Sequence, residues 1–254
     1  MDPGLLNEEE RYLSDHIADM QRLAQKSGVP RFSAFLNERE AVIAECAVKG
    51  SLCFYGGYEG AMRRVCGVID GTYAEELPPE DIFPVRAVTF RFRKSDKHAQ
   101  LTHRDFLGAL LALGIDRKLL GDILVAEGYA VVFVLETAER LVLDVSKIGN
   151  TGVTAESGVT MPLPEQKTRR IEATVSSLRL DCIVSAAANT SRERSAALIR
   201  SGMVNADFSP CTNVSAAVKE NTVIFIRGSG RYRLSGISGE TRKGRIRVII
   251  EKYV

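Results

Sequence analysis

Residues 176–208 read SSLRLDCIVSAAANTSRERSAALIRSGMVNADF, and few folds satisfy that pattern. Leu180, Ile183, Val184 and Ala187 recur at the spacing of one helical face. Ser191 suits the start of a second helix, because its hydroxyl can accept from a free first-turn amide. That helix buries Ala196 and Ile199 and stops at Gly202, and a short strand follows at Met203, Val204 and Asn205. Packing two such helices leaves Arg179, Arg192, Arg194 and Arg200 on the outside. Guanidinium forks hold phosphates bidentately, and a helix N-terminus offers unpaired amides to the same anion.

The charge distribution agrees. The whole chain has 254 residues and a net charge of +2. Residues 169–254, however, carry 15 Lys and Arg against 7 Asp and Glu, a balance of +8. Residues 1–168 carry 19 against 25, a balance of −6. A basic end on an acidic body expects a polyanion at that end. VIFIRGSGRYRL and GETRKGRIRVIIEKYV read as three further strands, with Arg227, Arg231, Arg233, Arg242, Lys243, Arg245 and Arg247 crowded around glycine-rich turns. Glycines there let backbone amides approach a phosphate closely.

Along the whole chain, three segments emerge. Residues 1–76 open with a helical stripe (Leu13, Ile17, Met20, Leu23 and Ala24), a second helix is expected over 33–48, and a hairpin around Gly56 and Gly57. LPPED at 77–81 marks a boundary. Within 77–160, VTFRFR alternates with period two. A helix follows from about 102, and DILVAEGYAVVFVL reads as strand, Glu127-Gly128 turn, strand. ETAERLVLDVSKIG reads as a helix ending near Gly149, and a last strand completes the ferredoxin-like split βαβ order. RNA-recognition modules share this arrangement with many unrelated proteins. Phe90 and Phe92 are expected to pack the helices, which puts Arg91 and Arg93 on the open face as a secondary RNA contact. Residues 157–168 read as a linker, and 169–254 form the basic third domain.

His103-Arg104-Asp105 resembles a kinase catalytic loop but fails as one. Leu110 stands where the magnesium-binding Asn belongs, and neither D-F-G nor a glycine-rich loop is present. Thr102 and Asp105 instead form a capping-box pattern, with Gly114 placed to end the helix. His103 and Arg104 at this helix N-terminus are a second candidate phosphate contact. Five scattered cysteines without a C-x-x-C pair indicate free thiols in a reducing cytoplasm and no zinc site. The acidic first residues, MDPGLLNEEERYL, lack the apolar core of a signal peptide, and no apolar run is long enough for a membrane span.

The R-L-D at 179–181, the S-R at 191–192, the apolar-basic helix ending in S-G and the V-N strand together resemble the S4 RNA-binding domain, or αL motif. That resemblance implies that Arg179, Ser191, Arg192, Arg200 and Asn205 face RNA, with Asp181 holding the two helices together. THRDFLGALLALGIDRKLLGDILV, followed by that motif and by RGSGRYRL and GETRKGRIRV, is similar to the YlmH family of bacterial proteins over essentially the full chain. The family resemblance implies an α+β chain of three small domains: an N-terminal helix-plus-strand domain (1–76), an RRM-like middle domain (77–160) and a C-terminal S4 domain (169–254). It further implies a non-enzymatic cytoplasmic factor, monomeric off the ribosome and without cofactor. Its partners would be RNA (large-subunit rRNA and tRNA) and the large ribosomal subunit obstructed by peptidyl-tRNA, in ribosome-associated quality control. An RNA-modifying enzyme carrying an S4 domain is the rival, but no glycine-rich cofactor loop, P-loop or synthetase signature supplies its catalytic domain. A protein–protein adaptor working through the acidic residues 1–168 is the third possibility.

Overall fold

A computed structural model of the chain describes residues 6–48, 50, 52–69, 77–93, 101–164, 168–241 and 244–253. The fold is mixed α and β, in two compact units, Met1–Pro164 and Glu165–Val254.

The first unit opens with α1 (Glu8–Ser27), β1 (Arg31–Leu36), α2 (Glu38–Ala47), β2 (Cys53–Tyr55) and β3 (Arg64–Val68). Both helices start on an asparagine. Asn7 and Asn37 each accept from the amide three residues on, and Glu10 and Glu40 reach back to accept from the asparagine amides. Asn37 corrects the helix expected over 33–48. Residues 31–36 form a strand paired with β3, and the helix begins only at Glu38. The strands join antiparallel in the order β1-β3-β2, and Ile17 and Met20 of α1 close a core with Leu36, Ala44 and Cys66.

The same unit continues through α3 (Pro79–Ile82), β4 (Val85–Arg91), α4 (His103–Ala112), β5 (Leu120–Ala126), β6 (Tyr129–Leu135) and α5 (Glu136–Leu143). It ends with β7 (Lys147–Ile148), β8 (Thr151–Gly152) and β9 (Thr154–Ser157). The helix expected to run to Gly149 ends at Leu143, because Val145 and Ile148 turn into the core and residues 147–152 form a small hairpin. The second sheet runs β5-β6-β4-β9, all antiparallel. One face, with Val88, Phe90 and Val132, packs on Phe106 and Leu110 of α4 and Val142 of α5, and the Phe92 ring also lies 5.9 Å from Phe106.

The opposite face was expected to be open. Instead Val85, Val131 and Phe133 are buried against Phe35, Val65 and Phe83, and the Tyr58 ring stacks on Phe133 at 5.0 Å. Two glycines permit this approach. A Cβ on Gly57 would lie 2.1 Å from the Phe133 ring, and one on Gly121 would lie 2.7 Å from Phe35. Buried Asp122 then pins the 58–63 segment, accepting from the Tyr58 hydroxyl at 2.8 Å and from the amides of Met62 and Arg63 at 2.7 and 3.2 Å. The carboxylate's hydrogen bonds offset the desolvation that would otherwise exclude it from the core.

The second unit comprises β10 (Thr168–Val175), α6 (Leu180–Ala188), α7 (Arg192–Arg200), β11 (Val204–Ala206) and β12 (Ser209–Pro210), then β13 (Val223–Ile226), β14 (Gly230–Glu240) and β15 (Ile246–Tyr253). Its antiparallel sheet runs β10-β15-β14-β13-β11-β12. Leu180, Ile183, Val184 and Ala187 of α6 and Ile199 of α7 pack on Ile224, Tyr232, Leu234, Val248 and Ile250 from the sheet's inner face. The expected burial of Ala196 shifts to its neighbour. Ser195 is the fully buried residue, its hydroxyl donating to the Ser191 carbonyl at 3.0 Å, and Ala196 is half-buried.

Candidate nucleic-acid interface

Asp181 sits in the first turn of α6, where a carboxylate suits the positive end of the helix dipole. Its side chain is only 6% exposed. One oxygen accepts from Arg179 Nε at 3.0 Å, and the other from Arg192 Nη2 at 2.7 Å. Burial works against the charged carboxylate, but the hydrogen bonds from Arg192 and Arg179 outweigh it and hold the pKa below 3.8. One carboxylate therefore clamps an arginine from the start of each helix. The two guanidinium side chains remain 43% and 56% exposed and carry one net positive charge beyond their clamp. Two half-solvated arginines held by one carboxylate have the geometry to take a phosphate at small entropic cost.

The second helix contributes its end. Ser191 accepts from the Arg194 amide at 3.2 Å, which caps α7 and places exposed Arg192 and Arg194 at its first turn. Asn189 makes the tight link between the helices in the left-handed region, at φ 49°. Arg200 is exposed in the last turn of α7.

The remaining expected residues do not all join this surface. Tyr232 and Leu234 face the core, so Arg231 and Arg233 project from the other side of β14. Cross-strand register puts Asn205, Phe225 and Arg231 in one row on that outer face. There the Arg231 guanidinium lies 4.7 Å from the centre of the Tyr253 ring and 5.7 Å from that of Phe208, and Arg233 pairs with Glu251 at 2.7 Å. Arg227 is exposed at the β13–β14 turn. Arg245 donates to the Thr174 carbonyl at 3.0 Å beside β10. Arg242 and Lys243 lie outside the described residues.

In the first unit, Arg91 pairs with Glu156 at 3.4 Å, and Arg91 and Arg93 line a cleft against the 150–152 turn rather than an open sheet face. Asp105 accepts from the Thr102 amide and hydroxyl, each at 2.7 Å, so it serves the helix start. Partial desolvation, followed by the charge of Arg117, lowers the pKa of His103. Arg104 is exposed beside it.

Two residues that the sequence reading passed over also matter. Arg169 and Lys252 sit directly opposite one another on β10 and β15. A signal for β10 exists in the sequence, since Ile171, Ala173 and Val175 alternate with polar residues.

A basic α+β unit whose adjoining helix starts present clamped arginines is a candidate polyanion-binding surface. Residues 78–160 match the family model described as "Putative RNA-binding domain in YlmH". The chain is 32% identical to the ribosome-associated protein quality control protein P2 of Bacillus subtilis (strain 168), over 96% of this chain and 95% of that one. It is also similar to a solved structure titled cell division protein ylmH from Streptococcus pneumoniae, at 26% identity and a TM-score of 0.49, covering 63% of this chain and 97% of that chain. The chain belongs to the YlmH family.

Proposed function

We propose that this chain is a non-enzymatic RNA-binding factor of ribosome-associated quality control, which binds the large ribosomal subunit through rRNA and peptidyl-tRNA. The observation that carries the reading is the Arg179–Asp181–Arg192 clamp on the basic C-terminal unit. Family membership and the name of the Bacillus subtilis relative support the ribosomal setting. The resemblance of 179–205 to the αL motif supports RNA as the polyanion, contacted mainly at phosphates. In this reading residues 169–254 are the S4 domain, 77–160 the RRM-like domain and 1–76 a helix-plus-strand domain welded to it. The protein acts in the cytoplasm as a monomer that joins the subunit, with no cofactor.

The burial of Val131 and Phe133 bears on the middle domain. Any RNA contact there uses Arg91, Arg93, His103 or Arg104 at the rim, because the sheet face itself is occupied. The test is co-pelleting with purified large subunits that carry or lack peptidyl-tRNA, with mass analysis of the RNA afterwards. Stoichiometric pelleting, stronger with the tRNA present and without a mass change, is expected. Absence from both pellets would overturn the proposal, and altered RNA mass would replace it with an RNA-modifying enzyme.

A further inference from the structure

A groove of about 660 Å³ runs between α6 and β10, the edge strand of the second unit's sheet. Its lining includes Arg169, Arg192, Arg245 and Lys252. The carboxylate among the lining residues, Glu172, is already paired with Arg170 at 2.9 Å. Register places Tyr232, Lys252 and Arg169 in one row across β14, β15 and β10. Because Tyr232 faces the core, that row lies on the helix side of the sheet, where the next row is Leu234, Ile250 and Ile171. Lys252 Nζ stands 5.5 Å from the Tyr232 ring centre. Neither Arg169 nor Lys252 forms an ion pair with a described residue. Two like charges directly opposite in a sheet repel one another, so the Arg169–Lys252 pairing by itself contributes nothing favourable to the sheet.

We infer that this groove holds the sugar-phosphate backbone of an RNA strand, with Arg169 and Lys252 as phosphate contacts that extend the αL surface. The inference rests on the proposed RNA binding and names where the strand goes next. Arg192 belongs to both the clamp and the groove, which makes the two surfaces continuous. Ala186, Ala187 and Ala188 form the helix wall and leave room for a backbone to approach. Arg245, tied to the Thr174 carbonyl, fixes a cation about five residues along β10 from Arg169, or roughly 17 Å of strand. Edge-strand cations can instead serve only to block strand-to-strand association, and the experiment separates the two roles.

The full chain, an Arg169→Gln/Lys252→Gln variant and an Arg192→Ala/Arg200→Ala variant are titrated against a fluorescein-labelled single-stranded RNA at several salt concentrations. Relief of the like-charge pair and loss of the Lys252–Tyr232 ring contact oppose each other, so the melting temperature without RNA should stay close to wild type and the variant remains folded. The groove variant is expected to bind about tenfold more weakly at low salt. Its log–log salt slope should be shallower by about 1.4, corresponding to two phosphates. Restoring charge with Arg169→Lys/Lys252→Arg should restore both. If the groove variant keeps wild-type affinity and slope while the Arg192/Arg200 variant loses binding, the groove assignment is overturned and the RNA reading stands. If wild type binds no RNA, both fall together.

Discussion

Asp181→Asn separates charge from geometry at the candidate interface. The substitution keeps the volume, removes one negative charge and loosens the clamp on Arg179 and Arg192. On electrostatics alone, RNA binding should strengthen. One extra unit of positive charge near a phosphate, at a separation of several ångströms and high effective dielectric, is worth about 1 kcal/mol. Losing preorganisation acts the other way. Re-immobilising each long side chain on binding costs about 0.5–1.5 kcal/mol, hence about 1–3 kcal/mol for two. The geometry therefore predicts a net loss of about 1 kcal/mol, or roughly fivefold weaker binding. The salt slope should hardly change, because the number of phosphates contacted is the same. Stability should fall by about 1.5–3 kcal/mol, the range for a hydrogen bond to a charged group. The 3–5 kcal/mol of a fully buried broken pair does not apply, since both arginines stay solvated. Fluorescence anisotropy against an rRNA hairpin, with urea denaturation alongside, reads both quantities. Tighter binding by the folded variant would refute the preorganisation argument.

Four further outcomes follow. Arg192→Ala should reduce the log–log salt slope by about 0.7–0.9, one phosphate contact, and an unchanged slope removes Arg192 from the interface. The stability that Asp181 contributes is present above its unfolded pKa near 3.8 and is lost as pH falls through the lower folded value. The gap between wild type and Asp181→Asn in urea midpoints should therefore be flat above about pH 5 and close below pH 4, and a gap persisting at the acid end contradicts the ion-pair account. Gly57→Ala places a methyl 2.1 Å from the Phe133 ring at φ +99°, and should destabilise the chain by about 2–4 kcal/mol in chemical denaturation; a change under about 0.5 kcal/mol would show that the two sheets do not need this approach. Burial pushes the Cys66 thiol up to about 12, so at pH 8 a thiol reagent should label exposed Cys46 quickly and Cys66 only on unfolding, and equal rates would contradict the buried placement.

Local signals made the second unit's helices readable. Ser191, the apolar stripe of α6 and the glycine after α7 each act within a turn or two of chain. Residues 31–36 misled because the short apolar run RFSAFL fits a helix or a strand, and only the Asn37–Glu40 cap decides between them. The clamp depends on Arg192 returning to Asp181 from eleven residues away, which spacing alone does not reveal, although the αL resemblance gave Asp181 a role in joining the helices. Longer separations were invisible. Asp122 meets Tyr58, Met62 and Arg63 across about sixty residues, and that network underlies the covering of the face where Arg91 and Arg93 were expected to be open. Arg169 and Lys252 were passed over for the same reason, since their apposition requires β10 to pair with β15.

Sedimentation through sucrose gradients, in bacterial lysate at low and moderate salt, tests the central claim most directly. Tagged wild type is compared with the Arg192→Ala/Arg200→Ala variant. The account predicts that wild type travels with large subunits and is stripped progressively as salt rises, while the variant stays at the top of the gradient. Wild type remaining at the top at both salts, or a variant that sediments with the subunits as well as wild type, would contradict an RNA anchor built on the α6–α7 surface.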